Sequence, residues 1–163
     1  MLDRTYNVLF LCTGNSCRSI IAECLLTHLG RGRLKGYSAG SHPAGQVNPS
    51  AIRALAKRGI ATEGLQSKNW DEFETAGAPV MDLIITVCDN AAGETCPVWP
   101  GHPVGAHWGL ADPALFTGTL EETAAVFDAT LNHLERLILG FLDLPQDKRS
   151  ADKVNELLEK IPA

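Results

Sequence analysis

At 163 residues, with 45% hydrophobic and 20% charged side chains, the chain has the length and composition of a single folded domain with a substantial core. Its formal charge of −5 argues against broad binding to nucleic acid or membrane surfaces, so an anionic substrate must be gripped by local donors against the global field. No stretch is apolar enough for a transmembrane span, and the short apolar run behind Asp3 and Arg4 is too little for a signal peptide.

In chain order, Tyr6 to Leu11 reads as a buried strand, followed by a Gly/Asn-bearing loop and a helix from Ile20 to about Leu29, closed by Gly30. Leu34 to Ala39 reads as a second strand. A loop holding Gly40, Pro43 and Gly45 leads to Asn48, which caps a helix over Pro49 to Lys57, with Gly59 just past its end. Leu83 to Val87 is a near-continuous apolar run, as in strands covered on both faces. Thr95 to Gly105 is rich in Pro and Gly and reads as loop, and Ala106 to Leu110 as a short strand running into Asp112-Pro113. Leu120 to Leu142 is a long amphipathic helix with Ala124, Phe127, Leu131, Leu134 and Ile138 on one side.

Strands alternating with helices imply right-handed crossovers, hence a three-layer α/β fold: a four-stranded parallel sheet with helices on both faces. Ligands bind such sheets beyond the carboxyl ends of the strands. Cys12, Cys88 and Asp112 each follow a strand, so residues far apart in sequence are expected to meet at one edge. Residues 1–144 are read as this domain. Residues 145–163 are read as an appended tail whose Val154, Leu157, Leu158 and Ile161 repeat at helical spacing, as core cover or as a dimerisation surface.

The stretch Cys12-Thr13-Gly14-Asn15-Ser16-Cys17-Arg18-Ser19 carries the sharpest chemical signal. Where a strand ends, a short loop turns and a helix begins, backbone N–H groups converge and the helix dipole adds positive potential. Gly14 and Asn15 tolerate the positive φ that a tight loop needs. The expected oxyanion cradle is Thr13, Gly14, Asn15, Ser16, Cys17 and Arg18, the arginine closing the ring with its planar fork of donors. The same field is expected to hold Cys12 as a thiolate nucleophile, with Ser19 donating a hydrogen bond to its sulfur. Five cysteines, at 12, 17, 24, 88 and 96, are an odd number without an export signal. That disfavours a disulfide framework and favours catalytic, redox or metal roles in a reducing cytoplasm. The C-x7-C spacing of Cys88 and Cys96 misses that of zinc sites, so no metal is expected.

Val8 to Ser19 resembles the opening of the low-molecular-weight protein tyrosine phosphatase superfamily. Within it, the fuller match is to thioredoxin-coupled arsenate reductases, because a second thiol pair follows in Thr86-Val87-Cys88-Asp89-Asn90 and Cys96-Pro97. The likeness runs from about residue 5 to 142 and takes in Tyr37-Ser38-Ala39-Gly40, Val47-Asn48-Pro49 and His107-Trp108-Gly109 before Asp112-Pro113.

The resemblance implies reduction of arsenate to arsenite for detoxification, by attack of Cys12, release of arsenite by Cys88, and transfer of the disulfide to Cys88 and Cys96. Thioredoxin or glutaredoxin would then reduce that disulfide. It implies a general-acid role for Asp112, and His107 and Trp108 are read as supports of the acid-bearing loop. No cofactor is expected. Some members bind potassium beneath the anion loop through residues matching Asn15 and Ser38. Here Lys68 stands near the position of their acidic ligand, so its ammonium is expected to replace the metal. The alternative within the family is a tyrosine phosphatase, which needs Cys12, Arg18 and Asp112 but neither Cys88 nor Cys96. Ala114-Leu115 after Asp112-Pro113 lacks the aromatic wall of such enzymes. A third reading is a non-catalytic oxyanion-binding or thiol-sensing protein.

Overall fold

The computed structural model describes residues 5–87, 104–145 and 149–162. Its elements are β1 (Tyr6–Cys12), α1 (Arg18–Gly30), β2 (Leu34–Gly40), α2 (Pro49–Lys57), β3 (Leu83–Thr86), β4 (Val104–His107), α3 (Leu120–Asp143) and α4 (Ala151–Lys160). Two 3-10 turns cover Trp70–Phe73 and Pro113–Leu115. The four strands form one parallel sheet in the order β2-β1-β3-β4, as the alternation of elements predicts.

From Val8 to Cys12 both faces of β1 are buried, which is why that stretch is an unbroken apolar run rather than an alternating one. Val8 and Phe10 join the larger core, beneath Ile21 and Leu25 of α1, Leu55 of α2, Leu131, Leu134 and Ile138 of α3, and Val154 and Leu157 of α4. Leu9 and Leu11 face a smaller core with Ala39, Ile84, Met81, Trp70 and Phe73. Among the described residues the 3-10 turn at Trp70–Phe73 is what covers this second face, an element the sequence did not announce because four residues are too few to show a period.

Several local features differ from expectation. Helix α1 starts at Arg18, two residues early, because the anion loop feeds the helix without a spacer. Strand β4 starts at Val104, inside the stretch read as loop, since Gly105 pairs with Ile84. It ends at His107, three residues short of the strand expected over Ala106 to Leu110. Ala124 is exposed, while His133, Leu137 and Phe141 join the buried stripe of α3. That helix opens on a capping box: Thr119 Oγ1 accepts from Glu122 N, and Glu122 Oε1 accepts from Thr119 N.

The tail folds back onto the body. Gly140 of α3 forms its seat: a Cβ there would lie 3.0 Å from Ile161 Cδ1 and 3.2 Å from Leu157 Cδ2. His133 Nε2 donates to the Ile161 carbonyl at 2.8 Å. Before α4, the Arg149 guanidinium lies over the rings of Tyr6 and Phe141, 5.2 and 4.6 Å from their centroids. Among the described residues no helix is long and apolar enough to cross a membrane.

Candidate active site

Cys12 is the last residue of β1, buried and paired with Gly40 of β2. The loop after it is held by its carbonyls. Thr13 O accepts from His42 N at 3.0 Å, Gly14 O from Ala44 N at 2.9 Å and from Ser67 Oγ at 3.1 Å, and Ser16 O from Asn48 N at 3.0 Å. In a trans peptide the N–H points opposite to the carbonyl, and no described peptide is cis. Turning these three carbonyls outward therefore turns the N–H groups of Gly14, Asn15 and Cys17 inward. This is how the chain makes the backbone part of the cradle, to which Arg18 adds a charged donor.

Asn15 is the keystone. It takes φ of 46°, in the left-handed region that asparagine tolerates, and is fully buried. Its Nδ2 donates to Ser19 Oγ at 2.9 Å, and its Oδ1 accepts from Lys68 N at 2.9 Å. A hydroxyl that accepts from an amide keeps its own proton to donate, so Ser19 remains a donor. Gly40 is obligatory here: a Cβ would sit 2.3 Å from Thr13 O and 2.7 Å from Cys12 O. Cys17 is the N-cap of α1 and makes no side-chain capping bond, which leaves the first turn of the helix and its dipole aimed at the loop.

Arg18 bridges the loop to the segment that follows β4. Its Nη1 donates to Leu110 O at 2.8 Å, and its Nη2 lies 3.4 Å from Asp112 Oδ2. Its Nε is buried with no hydrogen-bond partner among the described residues, a donor held ready for an anion. Asp112 also accepts from Ala114 N through Oδ1, at 3.0 Å, starting the 3-10 turn that Pro113 enters. Thus one oxygen of the carboxyl sets its own turn and the other faces the arginine.

Of the residues singled out from the sequence, Cys12, the segment Thr13 to Ser19, and Asp112 meet at this edge of the sheet. Cys88 and Cys96 lie outside the described residues. The approach to Cys88 is described: Val87 N donates to Leu11 O at 2.8 Å, directly beside Cys12. The other two described cysteines, Cys17 and Cys24, are buried. Burial pushes the Cys17 thiol up, with Ser16 Oγ 3.8 Å from its sulfur opposing, and burial pushes Cys24 up to about 12.

Glu23 was missed. Ser38 Oγ donates to its Oε1 at 2.5 Å, and Lys68 Nζ lies 3.8 Å from the same oxygen. Burial raises its carboxyl above the usual range, with the Lys68 cation opposing most strongly. The signal was available: a lone acid in the apolar run Ile20 to Leu26, one helical turn past Ser19. Lys68 and Ser38 thus do meet beneath the loop, with Glu23 as the counter-charge. Among the described residues no cluster of His, Cys, Asp and Glu is disposed to hold a metal.

The low molecular weight phosphotyrosine protein phosphatase family matches residues 7–155. An arsenate reductase of Bacillus licheniformis is 38% identical over 137 residues, 83% of this chain and 94% of the relative. Among solved structures, an arsenate reductase in the phosphate binding state superposes with a TM-score of 0.64 at 26% identity, over 97% of this chain and 100% of that one. A thioredoxin-dependent arsenate reductase of Corynebacterium glutamicum gives a TM-score of 0.56 at 26% identity, over 85% of this chain and 64% of that one. The chain belongs to the low molecular weight phosphotyrosine protein phosphatase family. Within that family it stands with the arsenate reductases.

Proposed function

We propose that the protein reduces arsenate to arsenite, with Cys12 as nucleophile and Cys88 and Cys96 as the source of two electrons. The thiolate of Cys12 attacks arsenic, an S–As bond forms and an As–O bond breaks. The oxygen leaves as water, with Asp112 supplying the proton. Arg18 Nε and the inward N–H groups of Gly14, Asn15 and Cys17 hold the remaining oxygens. The thiolate of Cys88 then attacks Cys12 Sγ. The S–S bond forms, the S–As electron pair passes to arsenic, and arsenic(V) leaves as arsenic(III) in arsenite. Ser19 stabilises the Cys12 thiolate before it attacks arsenic and again when the next exchange releases it. Attack of Cys96 on Cys88 frees Cys12 as thiolate and leaves a Cys88–Cys96 disulfide, which an external dithiol protein, thioredoxin or glutaredoxin, reduces by exchange.

The observation that carries this reading over hydrolysis is the Val87–Leu11 hydrogen bond. Val87 lies beside Leu11, the residue before Cys12, and Cys88 is the next residue in the sequence, which supports a relay between the two cysteines. Hydrolysis of phosphomonoesters needs no such neighbour. Weak phosphatase activity is expected all the same, because the cradle fits phosphate.

The test is arsenate-dependent NADPH consumption coupled to a thioredoxin or, in a second arm, a glutaredoxin system, for wild type and for C12S, C88S and C96S. Loss of turnover in all three variants is the expected result. Absence of arsenate-dependent NADPH consumption in wild type, with aryl phosphate hydrolysis lost only in C12S, would replace the reductase reading by a phosphatase one.

A further inference from the structure

We infer that α4 positions the acid-bearing segment of the active site, through Asn155 and the main-chain carbonyl of Val154. The inference rests on the role given to Asp112 above.

Strand β4 is the edge of the sheet, and an edge strand ordinarily leaves its outward backbone groups to solvent. Here the outward His107 N–H donates to Asn155 Oδ1 at 2.7 Å. The next residue, Trp108, is fully buried; its backbone N–H donates inward to Thr86 O at 2.7 Å, and its indole N–H donates to Val154 O at 2.8 Å. Two consecutive residues of β4 and the segment after it are thus bonded to two consecutive residues of α4. Two residues further on, Leu110 N donates to Val87 O and Leu110 O accepts from Arg18; two more and the chain reaches Asp112. The carboxyl that faces Arg18 is therefore set from upstream by bonds made to the C-terminal helix.

Core cover alone does not require this arrangement. Burial of Val154 and Leu157 against α3 would satisfy an amphipathic helix, and such contacts are non-directional. The bonds from His107 and Trp108 are directional and fix the rotation and height of the segment relative to α4. The helix in turn is fixed to the body at Gly140 and through His133, away from the site. By contrast the cradle's carbonyls are tied by residues 42–48 and 67, none of which belongs to α4. Loss of the α4 bonds should move the acid and leave anion binding alone.

The experiment compares full-length wild type with Asn155→Leu, Asn155→Asp and Trp108→Phe. Each is assayed for arsenate kcat and KM, inhibition by inorganic phosphate, and hydrolysis of p-nitrophenyl and phenyl phosphate, below its own melting temperature. For Asn155→Leu, kcat is expected to fall about three- to tenfold, the kinetic equivalent of one hydrogen bond, with KM and the phosphate inhibition constant unchanged. Asn155→Asp keeps an acceptor for His107 N–H and should restore kcat. Phenyl phosphate, whose leaving group needs the proton, should lose more rate than p-nitrophenyl phosphate, whose leaving group does not. Trp108→Phe keeps a buried aromatic ring and removes the indole N–H together with the rest of the five-membered ring, so its shift in the ester ratio, read apart from its loss of stability, reports the same effect should Asn155→Leu fail to fold. A lower melting temperature with unchanged kcat and an unchanged ratio between the two phosphate esters would overturn the inference. Absence of arsenate turnover in wild type, with the ester ratio still shifted in the variants, would sink the reductase reading and leave the role of α4 standing.

Discussion

The two halves of the site are held in different ways. The nucleophile half, Cys12 to Ser19, is one contiguous segment whose carbonyls are tied by the loop running from β2 into α2 and by Ser67, and whose keystone, Asn15, is closed by Lys68. The acid half, Trp108 to Asp112, follows the edge strand and hangs from a helix more than forty residues later in the chain. The first is buttressed on several sides by backbone; the second depends on a few directed bonds. Local substitutions should therefore damage the first half most, while remote ones reach the second.

The largest effect is expected from Arg18→Lys. An ammonium cannot at once donate to Leu110 O, face Asp112 and offer a separate donor to an anion, so kcat/KM for arsenate should fall about 10²- to 10³-fold. Because Arg18 joins the halves, both phosphate inhibition and kcat should suffer; a change in KM alone would mean that the bridge is unimportant. Asp112→Asn tests the acid half by itself. It keeps the turn, since the amide oxygen still accepts from Ala114 N, and removes the titrating proton, so kcat should drop about 10²-fold with little change in phosphate inhibition.

Gly40→Ala strikes the nucleophile half from β2. With Thr13 O 2.3 Å from the new methyl, the strand or the loop must shift, at a cost of about 1–3 kcal/mol measured by urea unfolding. Weaker phosphate inhibition should accompany it, since the outward carbonyl of Thr13 is what turns the Gly14 N–H inward. Unchanged stability would show that the two strands are less closely apposed than the structure has them.

The same contrast explains what could be read without coordinates. Cys12, the loop and Arg18 were legible because their chemistry is written in adjacent residues, and the strand–loop–helix context is a local pattern. The parallel sheet was legible from its buried strands. Asp112 was placed at the site by analogy and by its position after a strand, but nothing local shows that Arg18 Nη2 faces it. Asn155 is an ordinary polar residue on a helix, and only the fold sets its carboxamide opposite an edge-strand N–H. Ala124 was misjudged because helical period says which residues share a face, and not how far the neighbouring helix reaches along it.

The smallest effects belong beneath the loop, where Glu23, Ser38 and Lys68 meet. A carboxyl whose folded-state pKa lies above its unfolded value stabilises the fold most below the ordinary glutamate range, and that contribution is lost as pH rises through the folded value. Lys68 opposes the upward shift, so Lys68→Met should move the Glu23 titration higher and carry the loss of stability nearer to neutral pH. Urea unfolding at pH 5 and pH 7 should then show a greater fall for the variant than for wild type, about 1 kcal/mol or less for a partly buried pair at 3.8 Å. An equal fall in both proteins would mean that the lysine does not neutralise Glu23. In wild type the ammonium already supplies the positive charge beside Glu23, so exchanging sodium for potassium at constant ionic strength should leave turnover unchanged. A severalfold rise with potassium would show instead that a metal cation competes successfully with Lys68 for the Glu23 and Ser38 oxygens, and that the loop is tuned from below by an ion the chain does not itself carry.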